Sequence, residues 1–452
     1  MKLAILGGGG FRTPFIWRAL LHDTAAARVD EVVLIDEHPD RLRAIELVLG
    51  QLTGEAEAPA VSSTTSMREG LTGCDFVFSA IRVGGLAGRV HDERVALDLG
   101  VLGQETTGPG GLAYALRTVP VMLEVARTVA DLAPTAYVVN FTNPAGIVTE
   151  AMRGVLGDRV VGICDTPSGL GRRVAAALGL DETDVALDYV GLNHLGWLRR
   201  VLHGGADVLP QLLADDARLG LLEETRVFGA PWLRRLGCIP NEYLYYYYRN
   251  HEAVAAIAAA GQTRGEFLAE TQPGFFTDAL ADPDRAALIW ESAADTREAS
   301  YMAEATGGTQ GTPAYDRATG VLDPAQLGYA GVALSVMTAI GRNEPTRGIL
   351  NVVNGSTIAA LPADAVVEVP CLVDGNGVHP FSAPVPDEHQ LGLMASVKAV
   401  ERHVIAAATT GSRDEALLGF AQHPLVGSLD LAERLLCGYE AASPALAALL
   451  AK

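Results

Sequence analysis

The chain reads as an α/β protein: a doubly wound parallel sheet in its first part, then a second, mixed α+β domain. Three observations predict this. Short apolar runs alternate with amphipathic helical stretches over the first 195 residues, as parallel βαβ units do. A run of four glycines follows the first apolar stretch directly. Beyond about residue 196 helical patterns dominate, with one late pair of apolar runs. At 452 residues the chain exceeds what one core usually holds, so two domains are expected, 1–195 and 196–452.

KLAIL (2–6) is the first strand, followed by GGGG and a helix from about Thr13 to Leu21. EVVLID (31–36) is the second. DFVFSAI (75–81), AYVVNFT (136–142) and RVVGIC (159–164) are three more; the last two run into the polar turns NFTNP and CDTP. In an open parallel sheet, ligands sit beyond the carboxyl ends of the strands, and both turns fall there. VALDYVGLNH (185–194) alternates apolar and polar residues and ends at His194. GILNVVNG (348–355) and AVVEVPCLVDG (365–375) read as a strand pair within the later helical region.

Composition excludes several function classes. Apolar residues make up 49%, enough for sizeable cores. A net charge of −20 repels nucleic acid and anionic membrane surfaces, and no uncharged apolar run reaches the roughly 18 residues of a membrane helix. The start MKLAILGGGG lacks a cleavage site and reads as a strand. Five cysteines form no disulfide framework in so long a chain, so the expected compartment is the cytoplasm. Lysine occurs only at Lys2, Lys398 and Lys452, a bias that weakens any argument that a given arginine was selected over lysine.

Four constellations carry chemistry. GGGGFRTP (7–14) lies between a strand and a helix, where glycines let the backbone approach a pyrophosphate and the helix offers free N–H groups. Gly7, Gly9 and Gly10 are the candidates, with Phe11 and Arg41 beside them. Asp36, ending the second strand, is placed to accept from a ribose hydroxyl and favours NAD over NADP, since a 2′-phosphate would meet its charge. The strict third glycine position is held by Arg12, so the motif rests on its context. Cys164 and His194 pair a thiol with an imidazole, ligands for a borderline divalent metal in an open site. On residues alone the pair reads equally as a buried thiol and a packing histidine. CIPNEYLYYYYRN (238–250), if helical, puts Tyr243, Tyr246 and Tyr247 on one face. Most of these tyrosines pack between domains; one can serve as a base beside a cation. IRVGGLAGRVHDE (81–93), running on to LGQETTGPGG (102–111), carries Arg82 and Arg89 after the strand DFVFSAI. It reads either as a ligand loop or as a surface loop with ordinary ion pairs.

Taken together, these stretches resemble family four of the glycoside hydrolases, the NAD- and metal-dependent glycosidases, an exception to two-carboxylate hydrolysis. The resemblance rests on the glycine start, RVGG…R…DE, GQETTGPGG, NFTNPAG, GICDTP, GLNHLGW, IPNEYLYYYY and FAQHPLVG (420–427), and spans most of the chain. It implies a Rossmann-type sheet with a second domain, as in lactate and malate dehydrogenases. It also implies a redox-assisted elimination. NAD takes hydride from C3 of the sugar, a base removes the acidified C2 proton while a metal stabilises the enediolate, the aglycone leaves C1, water adds, and hydride returns.

The same resemblance implies residue roles. Tyr243 matches the family's base. Cys164 and His194 match the ligands of a Mn2+-type ion shared with the sugar's C2 and C3 oxygens. Asn143 and Asn140 match sugar-contacting asparagines. Asp165 is either the acid for the leaving oxygen or a group orienting the metal. A 6-phosphate on the sugar would need arginine: Arg89 and Arg264, with Arg82 in reserve. IPNEYLYYYY resembles the 6-phospho-β-glucosidase branch, whereas Asp after the metal Cys resembles the phospho-α-glucosidases; the β activity is the favoured expectation. The expected partner is a small phosphorylated glycoside, and the long apolar helices point to a homodimer or homotetramer. Two rivals on the same fold are an NAD-dependent hydroxyacid dehydrogenase, which would need no metal Cys, and a non-catalytic NAD-binding regulator.

Overall fold

The computed structural model describes residues 1–54, 57–300 and 328–451. Its strands are β1 (Lys2–Leu6), β2 (Glu31–Ile35), β3 (Ala60–Thr64), β4 (Phe76–Ser79), β5 (Tyr137–Asn140), β6 (Val160–Gly162), β7 (Val185–Leu192), β8 (Leu195–His203), β9 (Ala206–Asp207), β10 (Ile239–Pro240), β11 (Thr346–Val353), β12 (Val366–Asp374) and β13 (Gly377–Pro380). The first six form a parallel sheet in the order β3-β2-β1-β4-β5-β6. This is the doubly wound dinucleotide-binding order, with its reversal of direction between β1 and β4.

Period-2 alternation explains why both faces are covered. Leu3, Ile5, Val32 and Leu34 point to one side, onto Trp17 and Leu20 of the helix Thr13–His22 and Ile45 and Val48 of the helix Pro39–Thr53. Ala4, Leu6, Val33 and Ile35 point to the other, onto Met122 and Val125 of the helix Pro109–Leu132 and Val148 and Met152 of the helix Ala145–Leu156. Each large side chain so buried contributes about 1.5–3 kcal/mol.

The sheet continues past β6 with antiparallel neighbours, β11, β12, β7, β8 and β10. β6 meets β11 through the single pair Gly162–Asn351, and β12 meets β7 through Glu368–Gly191. β11 and β12 pair along eight residues, as their apolar runs predict. Residue 195 lies at the tip of the β7–β8 hairpin, whose turn is Asn193–His194. The chain after it therefore adds strands to the same sheet. Helices Glu388–Thr410, Arg413–Gln422 and Leu429–Ala442 pack on Pro109–Leu132 through Val400, Val404, Phe420 and Leu435. Among the described residues no helix is long and apolar enough to cross a membrane.

Two local expectations differ. β3 is a mostly exposed edge strand whose Ser/Thr-rich sequence gives no apolar run. The tyrosine segment is not one helix: Asn241 Oδ1 accepts the Tyr243 N–H and starts a tight turn, Glu242–Leu244, before the one-turn helix Tyr245–Tyr248. The Tyr243 and Tyr246 rings remain neighbours, 6.2 Å apart, while Tyr247 stacks on His423.

The helix Ala286–Ala299 fastens the glycine loop from outside the sheet. Trp290 is fully buried, donates its indole N–H to the Phe11 carbonyl at 3.0 Å, and packs on Phe15 at 4.9 Å. Trp290→Ala should cost about 3–5 kcal/mol in chemical denaturation, the cavity penalty of a large aromatic; a cost below about 1 kcal/mol would mean this helix is not part of the cooperative unit.

Candidate active site

The glycine loop is folded back on the end of β2: the N–H groups of Gly7 and Gly8 both donate to the Ile35 carbonyl at 2.9 Å, and Gly10 N–H donates to the Gly7 carbonyl at 2.8 Å. A Cβ on Gly9 would stand 2.9 Å from Arg41 Cβ and 3.0 Å from the Asp36 carboxyl carbon. Gly9, Asp36 and Arg41 thus line one cradle that any side chain at position 9 would fill. Asp36 Oδ1 accepts from His38 N–H, and Arg41 lies over the Phe276 ring. The Phe11 side chain is not part of the cradle: its ring is buried edge-on against Phe275, leaving only its backbone on the loop. The cradle fits a dinucleotide, the Asp36 carboxylate lying where a ribose diol would be bound.

Arg82 and Arg89, from one stretch of the chain, converge with the distant Arg12, Arg264 and Arg297. Arg82 and Arg89 both hold Glu105 Oε2, at 2.5 and 2.9 Å, and Arg89 also donates to Glu93 at 2.7 Å. Glu93 accepts in turn from Gly265 N–H, tying the helix Gly85–Asp98 to the helix Arg264–Ala281. Arg264 donates to the Arg297 and Ser300 carbonyls. Arg12 lies over the stacked rings of Phe141 and Tyr329, 4.9 Å from each. Burial works to raise the Glu105 carboxyl, but Arg82, Arg89 and Arg297 overcome it and hold it at about 2. Arg297 carries the cost of this crowding. Burial, together with the nearby charges of Arg12, Arg89 and Arg264, brings it down to about 9, far below an ordinary guanidinium. Several guanidinium groups are thus gathered round Glu105 and Glu93, an arrangement that fits an anion.

Glu105 leads directly to the histidine. Gln104 Oε1 accepts from the N–H groups of Thr106 and Thr107, and Thr106 Oγ1 lies 3.0 Å from His194 Nδ1. Burial holds His194 at about 4, so its ring is neutral, and with Nδ1 engaged by Thr106 the other ring nitrogen is left as a ligand atom. The Tyr243 ring lies flat on the imidazole, 3.7 Å away and 2° from parallel. Cys164 is buried at the end of β6, one residue before the helix Asp165–Leu178. Burial, then the charges of Glu368 and Asp165, raise its thiol well above the usual range. Asn193, which precedes His194, donates to that same Glu368. Among the described residues no group of three or more His, Cys, Asp or Glu is arranged to hold a metal. A thiol and a neutral imidazole fit a borderline divalent ion with two protein ligands, the remaining positions falling to water or substrate oxygens.

The asparagines separate. Asn140 is fully buried; its amide nitrogen donates to Thr142 and Ala145 carbonyls and Thr149 Oγ1, and its oxygen accepts from Thr142 N–H. It shapes the NFTNP turn, with both ends of its amide engaged there. Asn143 Oδ1 is buried with no hydrogen-bond partner among the described residues, an acceptor available to a hydroxyl. Arg12, Glu105, Thr106 and Arg297 escaped the sequence reading as site residues. Arg12 stands at the missing third glycine, and Glu105 and Thr106 sit within GQETTGPGG; Arg297 has no local signal.

The family 4 glycosyl hydrolase model matches residues 2–180, and the family 4 C-terminal domain model matches residues 189–426. The chain is 31% identical over 448 residues to the probable 6-phospho-beta-glucosidase of Bacillus subtilis, covering 96% of this chain and 95% of that one. Among solved structures it is similar to the Thermotoga maritima 6-phospho-beta-glucosidase with manganese, NAD+ and glucose-6-phosphate (TM-score 0.80, 27% identity, 98% of both chains). It is also similar to a 6-phospho-alpha-glucosidase from gut microorganisms in complex with NAD and Mn2+ (TM-score 0.79, 25% identity, 98% of both chains). Malate dehydrogenase of Plasmodium falciparum shares the fold, with a TM-score of 0.51 at 12% identity over 90% of this chain and 98% of that one.

Arg297→Met removes one crowded charge. Without added anion the variant should melt at a higher temperature than the parent, while inorganic phosphate should bind about tenfold more weakly, the loss of one charge-assisted hydrogen bond. Calorimetric titration with phosphate checks the affinity and a thermal scan the melting temperature; unchanged phosphate affinity with a lowered melting temperature would make Arg297 a structural residue.

Proposed function

Starting from family 4 of the glycosyl hydrolases, to which this chain belongs, we propose that it hydrolyses 6-phospho-β-glucosides, with NAD and a divalent metal such as Mn2+ as its cofactors. The observation that carries the substrate class is the guanidinium pocket. It joins the glycine loop through Arg12 and His194 through Glu105 and Thr106. A sugar seated between cofactor and metal would place a 6-phosphate among Arg12, Arg89, Arg264 and Arg297.

The glycine-loop cradle would hold NAD, which would supply a hydride acceptor for sugar C3, and Cys164 and His194 would hold a divalent metal, which would supply Lewis acidity toward the C2 proton. The chain's own residues do the rest. The arginines bind the phosphate and fix the distance from C6 to the reacting carbons. Tyr243 Oη receives the C2 proton, and the flat contact with His194 fixes its ring beside the metal ligand. Asn143 Oδ1 accepts from a ring hydroxyl. Asp165, next to Cys164, protonates the departing oxygen. Asp36 accepts from the ribose and turns away a 2′-phosphate. Residues 1–195 bring the dinucleotide cradle and metal ligands; residues 196–452 bring the base and the remaining arginines. We place the enzyme in the cytoplasm as a homodimer or homotetramer.

The 6-phospho-α-glucosidase reading is favoured by Asp165 directly after Cys164 and by the similarity to an α-enzyme over 98% of the chain. Since the aglycone leaves after C2 is deprotonated, the same residues serve either anomer.

Nitrophenol release from p-nitrophenyl 6-phospho-β-glucoside should need both NAD+ and Mn2+. It should exceed release from the α-anomer and from the unphosphorylated glucoside, and fall to background after chelation. Full activity in chelator would reject the metal role. Tyr243→Phe should lower kcat by about 10²–10⁴ with NAD affinity retained. In D2O the parent should leave deuterium at C2 of the product, and an unlabelled C2 would exclude elimination.

A further inference from the structure

We infer that Glu368 is a positioning residue whose buried carboxylate fixes the His194 turn and the Tyr243 turn against one another. This rests on the roles proposed above for Cys164, His194 and Tyr243.

Glu368 lies in β12 between Val367 and Val369, and all three are fully buried. A carboxyl group among valines is costly unless its oxygens are fully engaged. Here they are. Oε1 accepts from Asn193 Nδ2 at 3.2 Å and Asn351 Nδ2 at 3.0 Å, and Oε2 accepts from Tyr189 Oη at 3.1 Å. Asn351 and Gly191 are its partners across the sheet, and Asn351 is paired with Gly162 of β6, two residues before Cys164. One carboxyl thus sits in the row that joins the strands leading to both metal ligands.

Two arms leave it. The first is Asn193, which the carboxylate holds immediately before His194. His194 has φ +62, in the left-handed region that a side-chain-bearing residue seldom adopts, and so needs its neighbours fixed. The second arm runs through Tyr189. Its hydroxyl donates to Glu368 and accepts from Asn241 Nδ2 at 3.2 Å. Asn241 is fully buried, and its other amide atom accepts the Tyr243 N–H at 3.0 Å, starting the turn that carries the base. Gly196 makes the second arm possible: a Cβ there would stand 2.3 Å from Tyr189 Oη. The glycine after His-Leu in GLNHLGW is therefore room for a hydroxyl, and Asn241 N–H closes the arrangement on the Gly196 carbonyl at 2.8 Å. The Tyr243 ring and the His194 ring, stacked face to face, are thus each referred to the same anchor.

The test uses the full chain with NAD bound and two readings. Mn2+ alone is titrated by electron paramagnetic resonance, and kcat and KM for p-nitrophenyl 6-phospho-β-glucoside are measured at saturating Mn2+. Glu368→Gln should weaken Mn2+ binding by about 10–100-fold, as loss of an outer partner of a metal ligand does, and lower kcat with KM within about threefold. The two arms should separate. Asn193→Ala should weaken Mn2+ about tenfold with kcat restored by excess Mn2+. Tyr189→Phe should lower kcat about tenfold with Mn2+ affinity unchanged. Should Glu368→Gln fail to fold, the arm variants decide alone. Parent values of both readings in Asn193→Ala and Tyr189→Phe would overturn the inference, as would a parallel loss of both readings and of melting temperature in each. A parent chain that neither binds Mn2+ nor releases nitrophenol would instead remove the functional reading beneath it, a failure visible before any variant is made.

Discussion

Crowding several buried and half-buried guanidinium groups side by side is the constraint around which this protein is assembled. Each carries a desolvation cost, and each raises the cost of the next. Glu105 makes the arrangement possible by forming ion pairs with Arg82 and Arg89 at once, and Glu93 adds a second carboxylate that also caps a helix. Three helices, Gly85–Asp98, Arg264–Ala281 and Ala286–Ala299, are thereby committed to one another and to the glycine loop that carries Arg12. The crowding falls most heavily on Arg297, which burial and the charges of Arg12, Arg89 and Arg264 bring down to about 9.

The neighbouring chemistry is placed by the same chain segment. Glu105 answers the arginines and Thr106, the next residue, holds the imidazole. A displacement of this loop would therefore disturb the arginine cluster and His194 together. Tyr243 is coupled to His194 twice, by direct ring contact and by the hydrogen-bonded route through Asn241, Tyr189, Glu368 and Asn193. Such redundancy suits the role proposed for Tyr243, a base held in fixed relation to the imidazole.

Much of the frame was readable before any coordinates. Alternating apolar runs place β1, β2, β4, β5 and β6, because a strand buried on both faces needs no partner to reveal itself. The glycine loop, Asp36 and the turns after β5 and β6 follow from local turn and backbone chemistry. Arg82, Arg89 and Arg264 could be named from their positions after strands or aromatic runs, yet nothing in their spacing says that they meet. Asn140 and Asn143 look equivalent in NFTNP; only the hydrogen bonds distinguish a turn-former from an open acceptor.

What the sequence by itself determined is therefore the doubly wound half, its cofactor edge and a set of chemically plausible side chains. All of these depend on contacts within a few residues or on a period of two. What the tertiary structure decided is the direction of β7, the break in the tyrosine run at Asn241, and the meeting of Arg12, Glu105, Arg297 and Glu368 with residues more than a hundred positions away in the chain. Those depend on charge and hydrogen-bond balance in a dry interior, which is a property of the whole surroundings of a group and is written into no single stretch of the chain.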